Sequence, residues 1–340
     1  IEKYYNDKLK GKDGKKTYQQ DAYGYQLPDN SKHPVLIEEA EDGNDIYLTI
    51  DNNIQLIAEN AVYSLAEKHD LKWITFSVME AKTGAIVASA STPNFNLNTL
   101  DNIESYLNPL TSYTYEPGST MKIFSFMAAI ENGIYNGEDT YDSGTIKLSD
   151  GTVIKDFNNV GWGRITYNKG FAYSSNVAAT LLAQKLGTKK LRTFYENLGF
   201  GKNTGIELPG ELPGKINFNY ESELANASFG QGVTTTPIQN LQALSSIANN
   251  GTVLKPYIVS KIVNSKGNTV YEGKRTELNT VASKDTINQV KNLMYNVVYD
   301  GLASSKNYAA DNVTVIGKTG TAQIASPNGG YLTGNYDHIK

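Results

Sequence analysis

The stretch YEPGSTMKIFSFMAAIENG, residues 115–133, opens on a turn-forming Pro117-Gly118 pair, sets Ser119 three positions ahead of Lys122, and runs into an apolar helical pattern. Ile123, Phe126, Met127 and Ile130 recur at spacings of three and four, which predicts a helix that buries this face and stops at Gly133. Residues three apart on a helix share a face, so the Lys122 amine can reach the Ser119 hydroxyl from the same element. A helix N-terminus also offers unpaired backbone N–H groups and a positive dipole end, which suits an oxyanion forming beside the serine. That field, with burial, favours an uncharged lysine able to take the serine proton. The motif alone does not decide the matter. With 23 Ser and 28 Lys in 340 residues, composition supplies about two S-x-x-K pairs by chance, and a cap serine beside a lysine snorkelling to water fits the same letters.

Composition narrows the chemistry. The chain is 39% hydrophobic and 19% charged, as in an ordinary globular protein, and its net charge of −4 generates no field that would gather nucleic acid. Lys8, Lys10, Lys12, Lys15 and Lys16 form a local basic stretch that reads as a solvated face. No run approaches the length of a membrane span, and no signal peptide opens the chain. Cysteine is absent, which excludes thiol nucleophiles, disulfides and thiolate metal sites. The three histidines, His33, His69 and His338, have neither the H-E-x-x-H spacing of a zinc site nor a setting suited to a Ser-His-Asp arrangement. A serine enzyme built on this chain would take its base from elsewhere.

Outward from the opening helix, residues 1–45 are polar and rich in turn formers, as in a linker or the edge of another module. An amphipathic helix follows, capped by Asp51 or Asn52, with Ile54, Ile57, Ala61 and Leu65 on its apolar face. Residues 73–80 and 85–92 read as a hairpin joined across Ala81-Lys82-Thr83-Gly84. Helices are expected at about 174–187, 189–199, 238–251 and 283–300, and a strand at 312–325 placed to pair with the hairpin. The plan is α+β.

Two further places carry candidate chemistry. Ser174-Ser175-Asn176 opens a buried helix pattern, either as reactive groups or as that helix's N-cap; the S-x-N copies at 305–307 and 326–328 have no such setting. Lys318-Thr319-Gly320, followed by Thr321, lies within the late strand pattern, where glycine is expected only if another backbone comes close, such as a peptide lying along the strand edge. The second K-T-G, at 82–84, falls at the hairpin turn, where glycine serves a positive φ.

S-x-x-K, S-x-N and K-T-G in this order resemble the motif set of penicillin-binding proteins and serine β-lactamases. The surrounding text, GFGKNTGIELPGELPG (199–214) and SFGQGVTTTPIQ (228–239) with PGSTMKIF and GKTGTAQ, resembles class B penicillin-binding proteins, the monofunctional, division-type D,D-transpeptidases of cell-wall synthesis. IEKYYNDKLKGKDG resembles the end of that family's N-terminal pedestal. The resemblance implies a transpeptidase fold, an antiparallel sheet with a helical subdomain, over 46–340, with 1–45 as linker and pedestal remnant. Family members carry further strands and a helix after the K-T-G strand, so a fragment lacking them, and lacking a membrane anchor, is expected. By the same resemblance Ser119 is the acylated nucleophile and Lys122 its base. Ser174 relays the proton to the leaving amine, and Lys318 shapes the local field. Asn176 binds the substrate amide, the N–H groups of Ser119 and Thr321 form the oxyanion hole, and Thr319, Gly320 and Thr321 make the substrate-binding segment, with the two threonine hydroxyls taking the substrate carboxylate. It implies no cofactor. Its partners would be peptidoglycan stem peptides, β-lactams bound covalently at Ser119, a glycosyltransferase and divisome membrane proteins, on the extracytoplasmic face of the membrane. A D,D-carboxypeptidase, a β-lactamase-type hydrolase and a non-catalytic β-lactam sensor are the alternatives.

Overall fold

The structure, a computed structural model, describes the chain apart from residues 102, 104, 325, 327–330, 332–337 and 340. Strand β1 (Asp45–Leu48) leads into helix α1 (Asn52–Lys68), which begins where the sequence predicts: the Asp51 carboxylate accepts from the N–H groups of Asn53 (2.9 Å) and Ile54 (3.1 Å). Its buried face only partly matches the predicted one, from which Ile54 does pack on the core. Ala58 and Val62 are buried, whereas Ile57 and Leu65 are 66% and 44% exposed. Small side chains at 58 and 62 let the helix settle against Ala88 and Ala90 of the hairpin, and that close approach sets its rotation. The hairpin itself is as expected, with β2 (Ile74–Met79) antiparallel to β3 (Ile86–Thr92), Ile74 opposite Thr92, and Gly84 at φ +85° in the turn.

Helix α2 (Lys122–Glu131) buries Ile123, Phe126, Met127 and Ile130 as predicted, and Phe124, Ser125, Ala128 and Ala129 as well. A helix buried all round runs through a core rather than over it. Phe124 packs edge-on against Phe200 with ring centroids 5.2 Å apart, and Phe126 against Phe171 at 4.9 Å. Beyond α2 come a small hairpin, β4 (Thr145–Lys147) with β5 (Val153–Lys155), and helices α3 (Tyr167–Ala172), α4 (Asn176–Leu186), α5 (Thr188–Leu198), α6 (Glu221–Ser228) and α7 (Pro237–Ala248). Strand β6 (Val259–Val263) lies between β1 and β7 (Thr269–Glu272) in an antiparallel sheet, with Ile262 opposite Ile46 on one side and Tyr271 on the other. Helix α8 (Lys284–Tyr299), capped by Ser283, closes over α2.

Residues 1–45 are not a free linker. A ribbon pairs Lys15–Thr17 with Leu36–Glu38, and Ile1 and Tyr5 pack on the cluster containing Ile86, Leu110 and Ile258. The strand predicted at 312–325 shrinks to β8 (Ala322–Gln323), which pairs with β9 (His338–Ile339) and not with the hairpin; position 325 lies outside the described residues. Residues 313–321 form no ladder among the described residues. Val315 and Gly317 instead donate their N–H groups to the Tyr299 hydroxyl (3.2 Å) and the Met294 carbonyl (3.3 Å) of the helix at 284–299, and Gly320 and Thr321 lie against the turn at 117–120, so no neighbouring strand among the described residues is there to pair with.

Candidate active site

Ser119 sits not on α2 but on the 3₁₀ turn before it (Gly118–Met121). In a 3₁₀ turn side chains three apart eclipse one another, and this brings Lys122 Nζ to 3.0 Å from Ser119 Oγ. Lys122 is 0% exposed, which rules out a lysine snorkelling to water. Its amine also donates to Asn176 Oδ1 at 2.7 Å and to the Ser174 carbonyl at 2.6 Å, and lies 3.3 Å from Ser174 Oγ. Loss of water pulls its pKa well below the ordinary lysine value, the neighbouring Lys318 acts in the same direction, and the Asp156 charge opposes both.

The two serines of the second motif divide the work. Ser175 is the cap of α4, accepting from the Ala178 N–H at 3.1 Å. Ser174 is not a cap. It stands one residue earlier at φ +60°, a left-handed conformation that costs a side-chain-bearing residue about 1 kcal/mol, and its hydroxyl is thereby left facing both lysines. Lys318 Nζ donates to Ser174 Oγ at 2.8 Å, so Ser174 bridges the two amines. Lys318 is half-buried, yet its amine is ringed by protein, and desolvation lowers its pKa to about 7. Asn176 is held at both ends, since its Nδ2 donates to the Lys155 carbonyl at 2.8 Å while Oδ1 faces Lys122.

Three glycines let three distant segments meet beside Ser119. Gly118, at φ +55°, donates its N–H to the Gly230 carbonyl at 3.0 Å. A Cβ on Gly118 would stand 2.4 Å from the Thr321 carbonyl oxygen, and one on Gly230 only 2.1 Å from that of Gly118. A Cβ on Gly320 would lie 2.9 Å from the Pro117 carbonyl oxygen and 2.8 Å from Thr120 Cγ2. Gly320 is therefore required by a close-approaching backbone, as expected, but that backbone is the chain's own turn. Thr319 and Thr321 are exposed on either side of it.

Ser119, Lys122, Ser174, Asn176 and Lys318 thus converge from three segments, and Gly320 and Thr321 abut the Ser119 turn. The second K-T-G stays at its hairpin, the S-x-N copy at 305–307 lies in a separate 3₁₀ turn (Ala303–Tyr308), and the copy at 326–328 falls partly outside the described residues. Sequence reasoning missed Asp156, a buried carboxylate behind the second motif, and Phe229, whose ring centroid is 5.9 Å from Lys122 Nζ. It also missed Glu116, which accepts from the Gly232 N–H at 3.0 Å. Asp156 stands in a segment with no periodic or motif signal of its own, while Glu116 and Phe229 lie inside stretches already singled out, where nothing in the letters sets them apart.

Fold and site together define a serine–lysine protein, with the hydroxyl, the desolvated amine and a bridging serine presented at the end of a buried helix. The chain belongs to the penicillin binding protein transpeptidase domain family, which matches residues 74–339. It is 34% identical over 99% of its length to stage V sporulation protein D of Bacillus subtilis, covering 52% of that protein. Penicillin-binding protein 2B of Streptococcus pneumoniae is 29% identical over 98% of the chain and is covered to 53%. Among solved structures, penicillin binding protein 2X from Streptococcus thermophilus superposes with a TM-score of 0.86 at 32% identity, over 98% of this chain and 51% of that one. Penicillin binding protein 3 from Mycobacterium tuberculosis, complexed with ampicillin, gives 0.78 at 28% identity over 87% and 68%. The chain spans about half the length of the curated relatives it matches.

Proposed function

We propose that the chain is the catalytic part of a penicillin-sensitive peptidoglycan D,D-transpeptidase working through an acyl-enzyme on Ser119. The observation that carries this reading is the fully buried Lys122 amine at 3.0 Å from Ser119 Oγ. An uncharged Lys122 takes the Ser119 proton as Oγ attacks the penultimate D-Ala carbonyl of a stem peptide. The N–H groups of Ser119 and Thr321 receive the oxyanion, and Thr319 and Thr321 take the terminal carboxylate. Ser174, bonded to Lys318, passes its proton to the leaving nitrogen and regains one from protonated Lys122, so that D-Ala departs as the amine and Lys122 is uncharged again. The amine of a neighbouring stem then attacks the ester carbonyl, gives up its proton by the same relay, and leaves a new amide with Ser119 restored. Asn176 orients Lys122 and offers its amide edge to the substrate.

Relatives named peptidoglycan D,D-transpeptidase support the substrate class, and the division-type texture of the motif stretches supports a septal role. Among the described residues no helix is long and apolar enough to cross a membrane. We assign the protein to the extracytoplasmic face of the membrane, beside a glycosyltransferase and divisome proteins, on family grounds. The test is intact-mass spectrometry after penicillin treatment. Wild type should gain one penicillin mass and Ser119→Ala none, and an adduct surviving the substitution would end the assignment. Rapid release of the adduct with turnover would mark a hydrolase instead.

A further inference from the structure

We propose that Asp156 is a positioning residue of this site, its carboxylate clamping the Ser174-Ser175-Asn176 turn so that both partners of the Lys122 amine are held in place. The inference rests on the acyl-enzyme reading above. Asp156 directly follows β5 and is 1% exposed. Among the described residues no cation is in ion-pair contact with it. Four donors converge on it instead. Oδ1 accepts from the Asn176 N–H at 2.7 Å, Ser175 Oγ at 2.9 Å and the Val177 N–H at 3.1 Å, while Oδ2 accepts from the Gly144 N–H at 2.8 Å.

A buried carboxylate is tolerated only where such donors replace water, and these are charge-assisted bonds at the positive end of α4. What they hold is the informative part. Ser174 is strained, and a strained residue persists only where its surroundings over-determine it. The clamp fixes the two residues that follow Ser174, and the preceding residue, Lys155, holds the Asn176 side chain through its carbonyl. Positions 155 and 156 therefore grip Asn176 by side chain and main chain together, and Asn176 Oδ1 and the Ser174 carbonyl are the two nearest acceptors of Lys122. The charged groups acting on Lys122 are Lys318 from the segment over the turn and Asp156 from beneath α4; Ser119, Ser174, Asn176 and the Phe229 ring complete its surroundings. Asp156 itself faces Tyr141 as well as Lys122. One carboxylate so placed sets both where the base points and how readily it gives up its proton.

Asp156→Asn keeps the shape and removes the charge. The expected result is a folded protein whose acylation by a fluorescent penicillin slows about ten- to hundredfold. The acid limb of its pH–rate profile should move to lower pH, because an anion that favoured protonated Lys122 has gone. A folded Asp156→Asn with the wild-type rate, or with a slower rate and an unmoved limb, assigns Asp156 a structural role only and overturns the proposal. If Asp156→Asn does not fold, Ser175→Ala carries the test: it removes one clamp bond together with the cap bond to the Ala178 N–H and leaves the charge, and an unchanged melting temperature shows that α4 survives the loss of its cap. Slower acylation with an unmoved limb supports the clamp, and the wild-type rate overturns it. A wild type that takes no penicillin sinks the acyl-enzyme reading and this inference with it; a wild type that acylates beside an indifferent Asp156→Asn sinks this inference alone.

Discussion

Lys122 shows what a side chain's surroundings add to its letter. Its own letters fit a surface lysine as well as a base, and complete burial excludes the first. Its link to Ser119 was legible because a contact between residues three apart depends only on local geometry. The grip of Asp156 on Asn176, twenty residues on, depends on how β5 meets α4, which no local pattern encodes. Lys318 has a thermodynamic signature. Folded, its pKa is about 7, and unfolded it returns to the ordinary lysine value. Between those values the unfolded chain binds more protons, so this site penalises folding most near and below about pH 7 and less as pH rises. Lys318→Met removes the penalty. Its melting temperature relative to wild type should be highest near pH 7 and decline toward alkaline pH, a trend readable by thermal melts across that range.

Elements divide into those whose pattern is internal and those decided by a neighbour. Helices α1, α2, α4, α5, α7 and α8 were legible because three-and-four periodicity and caps are written within each segment, whereas α3 and α6, of six and eight residues, are too short to show a repeat. The strand at 312–325 was not, because a strand exists only with a partner, and its neighbours here are helix α8 and a turn. Two experiments test the elements around Ser119. Phe126→Ala empties a site packed by Phe171 and Tyr135 on the helix carrying Lys122, and should lower stability by about 3–5 kcal/mol in denaturant titration. Gly230→Ala, whose new methyl would meet the Gly118 carbonyl oxygen at 2.1 Å, should reduce penicillin acylation about a hundredfold. Gly232→Ala is its control. Gly232 has a similar positive φ of +69° but open space around a Cβ, so only backbone strain of about 1 kcal/mol is expected, with acylation near the wild-type rate.

For the whole molecule, β1, starting at Asp45, enters the three-stranded sheet. We propose that the preceding residues brace the fold without shaping the site. Deleting residues 1–44 should lower the melting temperature, because the surfaces under Ile1 and Tyr5 are uncovered, while the penicillin acylation rate stays at the full-length value. A large fall in that rate would show that the braced face and the site are coupled.

The glycine seam sets an order of events during synthesis. Ser119 and Lys122 emerge together, within one turn of chain, but the carbonyl that anchors Gly118 arrives with residue 230, and the backbone that closes over the turn arrives with residue 320. Asn176 and Ser174, the other acceptors of the amine, appear between them. A growing chain therefore carries its serine without the full set of neighbours around it until the last of the three glycines has been added.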